Sequence, residues 1–431
     1  MIFSLEVRQA RKGDCLLLHF GTEADRHLIL IDGGPKGVYQ PSLKPRLQKL
    51  AKDQGGRLPV DILMVSHVDD DHIQGILDLT REELELKDAN APRLLNVLSF
   101  WHNAFDEMVD APTAPLKKRL SGHLGEAAFE AGVVSEDKLA DIIRSSNLAD
   151  EEVVEAGVAV LASIPQGSRL RGEAETLEWI RNVETDGEVL QASKKPIDIG
   201  ELKLQIAGPR ASELSAFRKK YQQWLKETRE TPKGAAVELA AYVDESVTNL
   251  SSIVVLVESE KKRILLTGDA RGDMILKGLE ETGVIKPKGT LAVDILKVPH
   301  HGSSNNLDAD FFERIIADHY VFSGNGEHGN PERETMVMLV TARAGKPITI
   351  HLTYDVSSID VERKKEWAKQ RKKEIDRKAE NPTAPEPRAD WSDKVNGLAS
   401  YLDSLPSGTV DLRVVGSKHN HIIDLLDQVA Y

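Results

Sequence analysis

Cysteine is almost missing. Cys15 stands alone in 431 residues, so no internal disulfide framework holds this chain together. Long apolar runs are missing too: nothing approaches the ~20 consecutive apolar residues of a membrane-spanning helix. The first residues, Met1-Ile2-Phe3-Ser4-Leu5-Glu6-Val7-Arg8, read straight into a strand and lack the apolar core and small-residue cleavage site of a secretory signal. Together these absences point to a cytoplasmic protein. An excess of positive charge is also lacking. The formal net charge is −13, whereas a protein that coats long nucleic acid by charge alone is expected to be basic. Nonspecific duplex binding is therefore disfavoured. A small nucleotide or a locally basic groove stays open, since a bound cation would add positive charge that the formal count omits.

What is present suits a packed α/β protein. Hydrophobic residues make up 40% of the chain, and the length allows one large α/β domain with insertions or two domains. Strand-like segments fall at 2–8, 15–20, 27–31 and 60–66, with the turn Asp32-Gly33-Gly34-Pro35 and a helix near 45–53 between them. Residues 103–195 read as a charged helical insertion. Strands resume at 202–207, 252–257, 263–266, 293–298, 319–322 and 347–352, with a helix after Asp269. Strand runs with helices between and outside them imply sheet layers covered by helix. From 356 to 431 the pattern changes to a basic helix, a Pro-rich linker at 379–387 and a last pair of strands at 409–415 and 421–426.

Chemistry concentrates in Ser66-His67-Val68-Asp69-Asp70-Asp71-His72-Ile73-Gln74-Gly75. The segment follows an apolar strand, so it lies in the loop at that strand's C-terminal end, where α/β proteins tend to bind ligands. Two histidines and three aspartates within six residues repel one another unless a cation neutralises them, and a divalent metal does so. A solvated acidic loop is the competing account. Two distant segments repeat the theme: Ile264-Leu265-Leu266-Thr267-Gly268-Asp269 ends an apolar strand in a carboxylate, and Lys297-Val298-Pro299-His300-His301-Gly302-Ser303 ends another in paired histidines. A dinuclear site needs ligands from several rigid elements.

The run His67-x-Asp69-x-Asp71-His72 resembles the metallo-β-lactamase superfamily signature His-x-His-x-Asp-His, with Asp69 where most members carry the second His. With Gly13-Asp14-Cys15, Ile31-Asp32-Gly33-Gly34, Asn249-Leu250-Ser251-Ser252, Thr267-Gly268-Asp269 and Lys297–Ser303, it resembles the hydrolase domain of ComEC-type DNA-uptake proteins and their soluble relatives. The membrane channel of the uptake proteins is missing, so DNA uptake is not inferred. The resemblance implies an α/β fold, a metallo-β-lactamase-like αββα sandwich over residues 1–355 with the insertion at 103–195 and an extension at 356–431.

The resemblance also implies roles. His67 and Asp69 would hold one metal, Asp71 and His72 the other, with Asp269 bridging and His301 completing the second site. Asp71, Asp269 and His300 would be the catalytic residues, His300 contacting phosphate or protonating the leaving group. Asn249 stands where the superfamily has its remaining His ligand; His102 is a substitute ligand or a histidine packed beside Trp101. Asn249, Ser252, Lys297 and Ser303, with Asn325 and His328 from the glycine-bearing loop 323–331, are the expected substrate-facing residues. Asp14 and Asp32 would orient metal-bound histidines or serve as ordinary turn aspartates. Oxygen-rich ligation favours two Mn²⁺ ions, with Zn²⁺ or Mg²⁺ as alternatives.

The expected activity is that of a phosphodiesterase or nuclease using metal-activated water on single-stranded nucleic acid or a nucleotide. The alternatives are a hydrolase of a lactone, thioester or other carboxylic substrate, and an effector module gated by a protein partner. The insertion is expected to cover the active-site face. The stretch Arg363–Lys373 is either a nucleic-acid contact with Trp367 stacking on a base or a solvated helix with Trp367 packed on the domain.

Overall fold

The computed structural model describes residues 1–109, 165–227, 252–416 and 421–429. Two sheets dominate it. The first begins as an antiparallel meander of β1 (Ile2–Val7), β2 (Leu16–Gly21) and β3 (Arg26–Ile31). It continues in parallel through β4 (Leu58–Met64) and β5 (Leu95–Trp101). Parallel pairing needs a long crossover, and two helices supply it: α1 (Lys44–Asp53), with Pro45 in its first turn, and α2 (Asp70–Asp88).

The second sheet runs through β6 (Ile197–Ile199), β7 (Leu202–Gly208), β8 (Val254–Ser259), β9 (Lys262–Leu266), β10 (Leu291–Lys297), β11 (Ile315–Phe322), β12 (Ile348–Leu352) and β13 (Val410–Val414). Its first half is antiparallel, and β9 to β13 are parallel.

Period-two alternation decides what each strand face meets. Leu16, Leu18, Phe20, Ile29, Ile31 and Met64 point into a core shared with Leu204, Ile206, Val255, Val257, Ile264 and Ile295 of the second sheet. The opposite faces carry Leu17, Leu28, Leu30 and Leu63 against α1 and α2, and Leu256, Leu265 and Leu296 against the helices around Leu276, Phe311 and Leu339. The layers are therefore helix, sheet, sheet, helix. No helix among the described residues is long and apolar enough to cross a membrane.

The last two strands of the C-terminal extension are woven into the two sheets. β13 adds in parallel to β12, and β14 (His421–Asp424) pairs antiparallel with β1. The β1–β14 pairing joins residues more than 400 positions apart, as in Ser4 with Asp424, and strand pattern alone cannot assign such partners. The basic helix spans Val356–Glu380, and Asp355 caps it by accepting from the Ser358 amide at 2.9 Å. Trp367 is packed rather than presented: its Nε1–H donates to the Ala389 carbonyl at 2.9 Å, and its ring meets Trp391 edge-on and Arg388 face-on.

Where the two sheets approach each other, three histidines form a chain. His319 Nδ1 lies 3.0 Å from His351 Nε2, and His351 Nδ1 lies 2.7 Å from His421 Nε2. Neutral imidazoles satisfy such a chain, each giving one N–H to the next. Burial and then His421, His319 and Arg413 push His351 down to about 3. His319 and His421 are also lowered, burial first, although Asp318, Asp294 and Asp411 oppose the shift at His319. The unfolded chain thus binds protons that the folded chain refuses, so stability falls as pH drops below the ordinary histidine value of about 6.5. Between about pH 7 and about pH 5 the His351 contribution is worth about 2 kcal/mol. Thermal melts of His351→Gln should show a correspondingly flatter pH dependence than the native protein; parallel curves would remove this assignment.

Candidate metal centre

The site lies at the C-terminal ends of strands from both sheets. Ser66 to Asp69 follow β4, Thr267 to Asp269 follow β9, Pro299 to Gly302 follow β10, and Ser323 follows β11. Asp69 precedes α2 with extended backbone, so Asp70, Asp71 and His72 form the helix's first turn, where the peptide dipoles favour negative charge. The helix start is held against the β3 turn by the Gly33 amide donating to the His72 carbonyl and the Gly75 amide donating to the Gly34 carbonyl, each at 2.9 Å. A β-carbon on Gly75 would overlap the Gly33 carbonyl, so only glycine allows this approach. His300 and His301 both adopt left-handed backbone (φ 48 and 53). Such strain concentrates at functional sites. His301 is buried, while the His300 side chain stays about one-third exposed.

Hydrogen bonding assigns the tautomers of the three buried imidazoles. His72 Nδ1 sits 2.8 Å from Asp32 Oδ2, so it must donate. Ser66 Oγ donates to the same Asp32 oxygen at 2.6 Å and therefore accepts from His67 Nδ1 at 3.1 Å. Ser323 Oγ donates to Asp14 and accepts from His301 Nδ1 at 3.2 Å. With Nδ1 carrying the proton, every Nε2 presents a lone pair.

Those lone pairs converge. His72 Nε2 is 3.3 Å from His301 Nε2 and 3.4 Å from Asp269 Oδ1. His301 Nε2 is 3.5 Å from Asp269 Oδ2 and 3.6 Å from Asp71 Oδ2. His67 Nε2 is 3.6 Å from both Asp69 Oδ2 and Asp269 Oδ2. Two ligands each about 2.1 Å from one tetrahedral ion lie about 3.4 Å apart, so these spacings suit a shared cation better than direct hydrogen bonds.

Asp71, His72, Asp269 and His301 form one four-ligand group that could hold a metal ion. His67 and Asp69 flank it across Asp269. His67 Nε2, Asp69 Oδ1 and Asp269 Oδ1 are buried without a hydrogen-bond partner, and buried polar atoms seldom stay unpaired unless something else binds there. A second acidic group, Asp14, Asp32 and His72, meets the other nitrogen of His72 and fits the orienting role of outer-sphere carboxylates.

The electrostatics agree. Burial, then Asp71 and Asp269, push Asp69 up to about 8. Burial and then His72 push His67 down to about 3. Burial alone would lower His301, but Asp269 and Asp14 raise it to about 10. Burial would likewise raise Asp71 and Asp269, yet the neighbouring histidines hold both below the usual carboxylate range. The cluster therefore acquires positive charge from protons, which a divalent ion would replace.

The expected ligands His67, Asp69, Asp71, His72, Asp269 and His301 are thus brought together, and His300 Nε2 lies 3.7 Å from Asp269 Oδ2. Of the expected substrate-facing residues, Lys297, Ser252, Ser303 and Asn325 are engaged with other groups. Lys297 is buried and ion-paired with Asp14, because Ile295, two residues earlier on the same face, points into the intersheet core. Ser252 is buried and accepts from the Asp269 amide at 3.1 Å. Ser303 faces Glu332 at 3.4 Å. Asn325 is engaged with Glu327, donating to its carboxylate at 3.0 Å. His328 is exposed, 3.1 Å from Lys12 Nζ. Asn249 lies outside the described residues.

His102 is a packed histidine, stacked on Phe100 with Nε2 3.3 Å from the Gly167 carbonyl. Of the insertion, residues 110–164 lie outside the described residues; the helical stretch 165–176 packs Leu170 and Ala174 on the first sheet's outer core. Ser66, Ser323 and Lys12 were not singled out by the sequence. Ser66 had a signal, its place beside His67, but Ser323 becomes a site residue only through the pairing of β10 with β11.

No protein-family model matches the chain. A stretch of it is similar to microtubule-associated protein 1A of Homo sapiens, 31% identical over 107 residues, which is 25% of this chain and 4% of that protein. The Rattus norvegicus and Mus musculus proteins of the same name are 34% identical over 79 residues, 18% of this chain and 3% of theirs. The chain spans only these few per cent of the relatives it matches.

Proposed function

We propose that the chain is a metal-dependent hydrolase of the metallo-β-lactamase fold, with two divalent ions as cofactor and a phosphodiester as substrate, working in the cytoplasm. One observation carries the reading: three imidazoles, each anchored through Nδ1, turn Nε2 onto the carboxylates of Asp71 and Asp269 at strand ends of two sheets. The helix–sheet–sheet–helix layering supports the fold. Divalent ions held there would polarise a phosphoryl oxygen and lower the pKa of water, with Mn²⁺ favoured by the oxygen-rich set.

The chain's own groups do the rest. Asp269 sets the spacing between the two ligand halves. Asp32 and Asp14 hold the imidazoles in one tautomer, directly or through serine. His300 stands at the open edge, its Nδ1 without a hydrogen-bond partner and its Nε2 3.7 Å from Asp269 Oδ2, so it is placed to take a proton from, or give one to, a leaving oxygen beside the cluster. His300→Ala is expected to lower kcat by about 100-fold or more while metal content stays unchanged. Loss of metal in that variant would make His300 a ligand instead.

The deciding experiment uses metal-stripped protein, labelled single-stranded DNA and a small phosphodiester. Mn²⁺, Mg²⁺ or Zn²⁺ is added back, with Asp71→Ala as control. Metal-dependent cleavage lost in the variant supports the reading. Silence on both substrates with metal bound would redirect it to a lactone or thioester substrate, or to an effector gated by a protein partner.

A further inference from the structure

The open edge of the cluster is formed by His300, Asp69 and Asp71, whose side chains are 34%, 19% and 22% exposed. On the Asp71 side stands a group that the ligand set does not use. Gly13 packs so closely on the Asp71 backbone that a β-carbon there would overlap its carbonyl, which carries Lys12 to the rim. Lys12 Nζ lies 3.1 Å from His328 Nε2. Lys12 forms no ion pair among the described residues, although Asp70 is close enough to feel its charge. His328 in turn feels both Asp71 and Lys12. The neighbouring Arg11 is neutralised by Glu327 at 2.8 Å, and Lys369 on the adjacent helix by Glu366 at 3.4 Å. Of these three cations, Lys12 is the one without a carboxylate in ion-pair contact among the described residues, and it is aimed at an imidazole nitrogen.

The Lys12 ammonium gives one proton to His328 Nε2 and keeps two for the oxygens of a phosphate, whose charge-assisted bonds are the stronger kind, while His328 positions it. We propose that Lys12 and His328 form an anion subsite that receives a second phosphate of the substrate, next to the phosphodiester held at the cluster. The inference rests on the hydrolase reading and adds a specificity: substrates carrying two phosphates are preferred to those carrying one. Arg11 and Lys369 take no part, because their carboxylate partners already satisfy them.

The test compares kcat/KM of the full chain on a 5′-phosphorylated dinucleotide and on bis(p-nitrophenyl) phosphate, which has a single phosphorus. Lys12→Gln should lower the ratio of the two by about 10-fold, through KM rather than kcat, and Lys12→Arg should restore it. An unchanged ratio would overturn the subsite and leave an ordinary surface hydrogen bond. If the native protein cleaves neither compound, the hydrolase reading has failed, and anisotropy of the labelled dinucleotide with metal chelated still decides the subsite. A Kd about 10-fold weaker in Lys12→Gln, with a shallower salt dependence, upholds it; an equal Kd removes it.

Discussion

Asp269→Ala is expected to lose bound metal and hydrolysis together, with the fold retained. Among the described residues this carboxylate is the one group that faces all four imidazoles of the cluster, at 3.4 Å from His72, 3.5 Å from His301, 3.6 Å from His67 and 3.7 Å from His300. It belongs to the four-residue group with Asp71 and also faces His67, whose Nε2 meets Asp69, so its loss opens both halves of the centre. Replacing an outer-sphere partner of a metal ligand typically costs about 10- to 100-fold in affinity or activity. A shared inner ligand should exceed that, so residual activity below about 1% is expected. The backbone position need not move, because Ser252 holds the Asp269 amide rather than its carboxylate. Elemental analysis and rate measurements on the same preparation, with circular dichroism to check folding, decide the matter. A folded variant that keeps its metal and its rate would sink the centre proposed here.

The candidate ligands were legible because each sits in a short polar burst at the end of an apolar strand, a pattern that survives without any knowledge of pairing. Asp71 and His72 are fixed together by the first turn of α2, and Asp269 and His301 by the ends of neighbouring strands. What holds those side chains in place was harder to read. Asp32 could be singled out as a turn aspartate, but its contact with both Ser66 and His72 depends on β3 lying parallel to β4. The His319, His351 and His421 chain carries no local pattern at all, since its members come from strands of different sheets. Lys297, which the resemblance implies faces substrate, is buried instead, because the period of two places it on the face of Ile295, inside the sandwich.

That position leads to a large expected effect on stability. Lys297 and Asp14 are each nearly inaccessible to solvent. The ammonium contacts the carboxylate, with the Gly268 carbonyl at 3.4 Å and Asp269 Oδ1 at 4.0 Å. Burial would raise Asp14, but Lys297, His301 and His72 hold its carboxyl well below the usual range. Lys297→Met keeps the length of the stem and deletes the charge, leaving Asp14 without its nearest cation. Breaking one side of a buried ion pair typically costs about 3–5 kcal/mol, whereas replacing both partners by apolar groups can be close to neutral. Lys297→Met should therefore melt well below the native protein, and adding Asp14→Leu should recover much of the lost stability.

Metal retention should not follow stability back. Asp14 also accepts the Ser323 hydroxyl that in turn takes the His301 proton, so the double variant loses an outer-sphere support even as it regains packing. Chemical denaturation of the four proteins in the cycle, each assayed for bound metal, separates the two roles. A single variant as stable as the native chain would mean that water, not Lys297, compensates Asp14. A double variant with native metal affinity would mean that Ser323 alone orients His301.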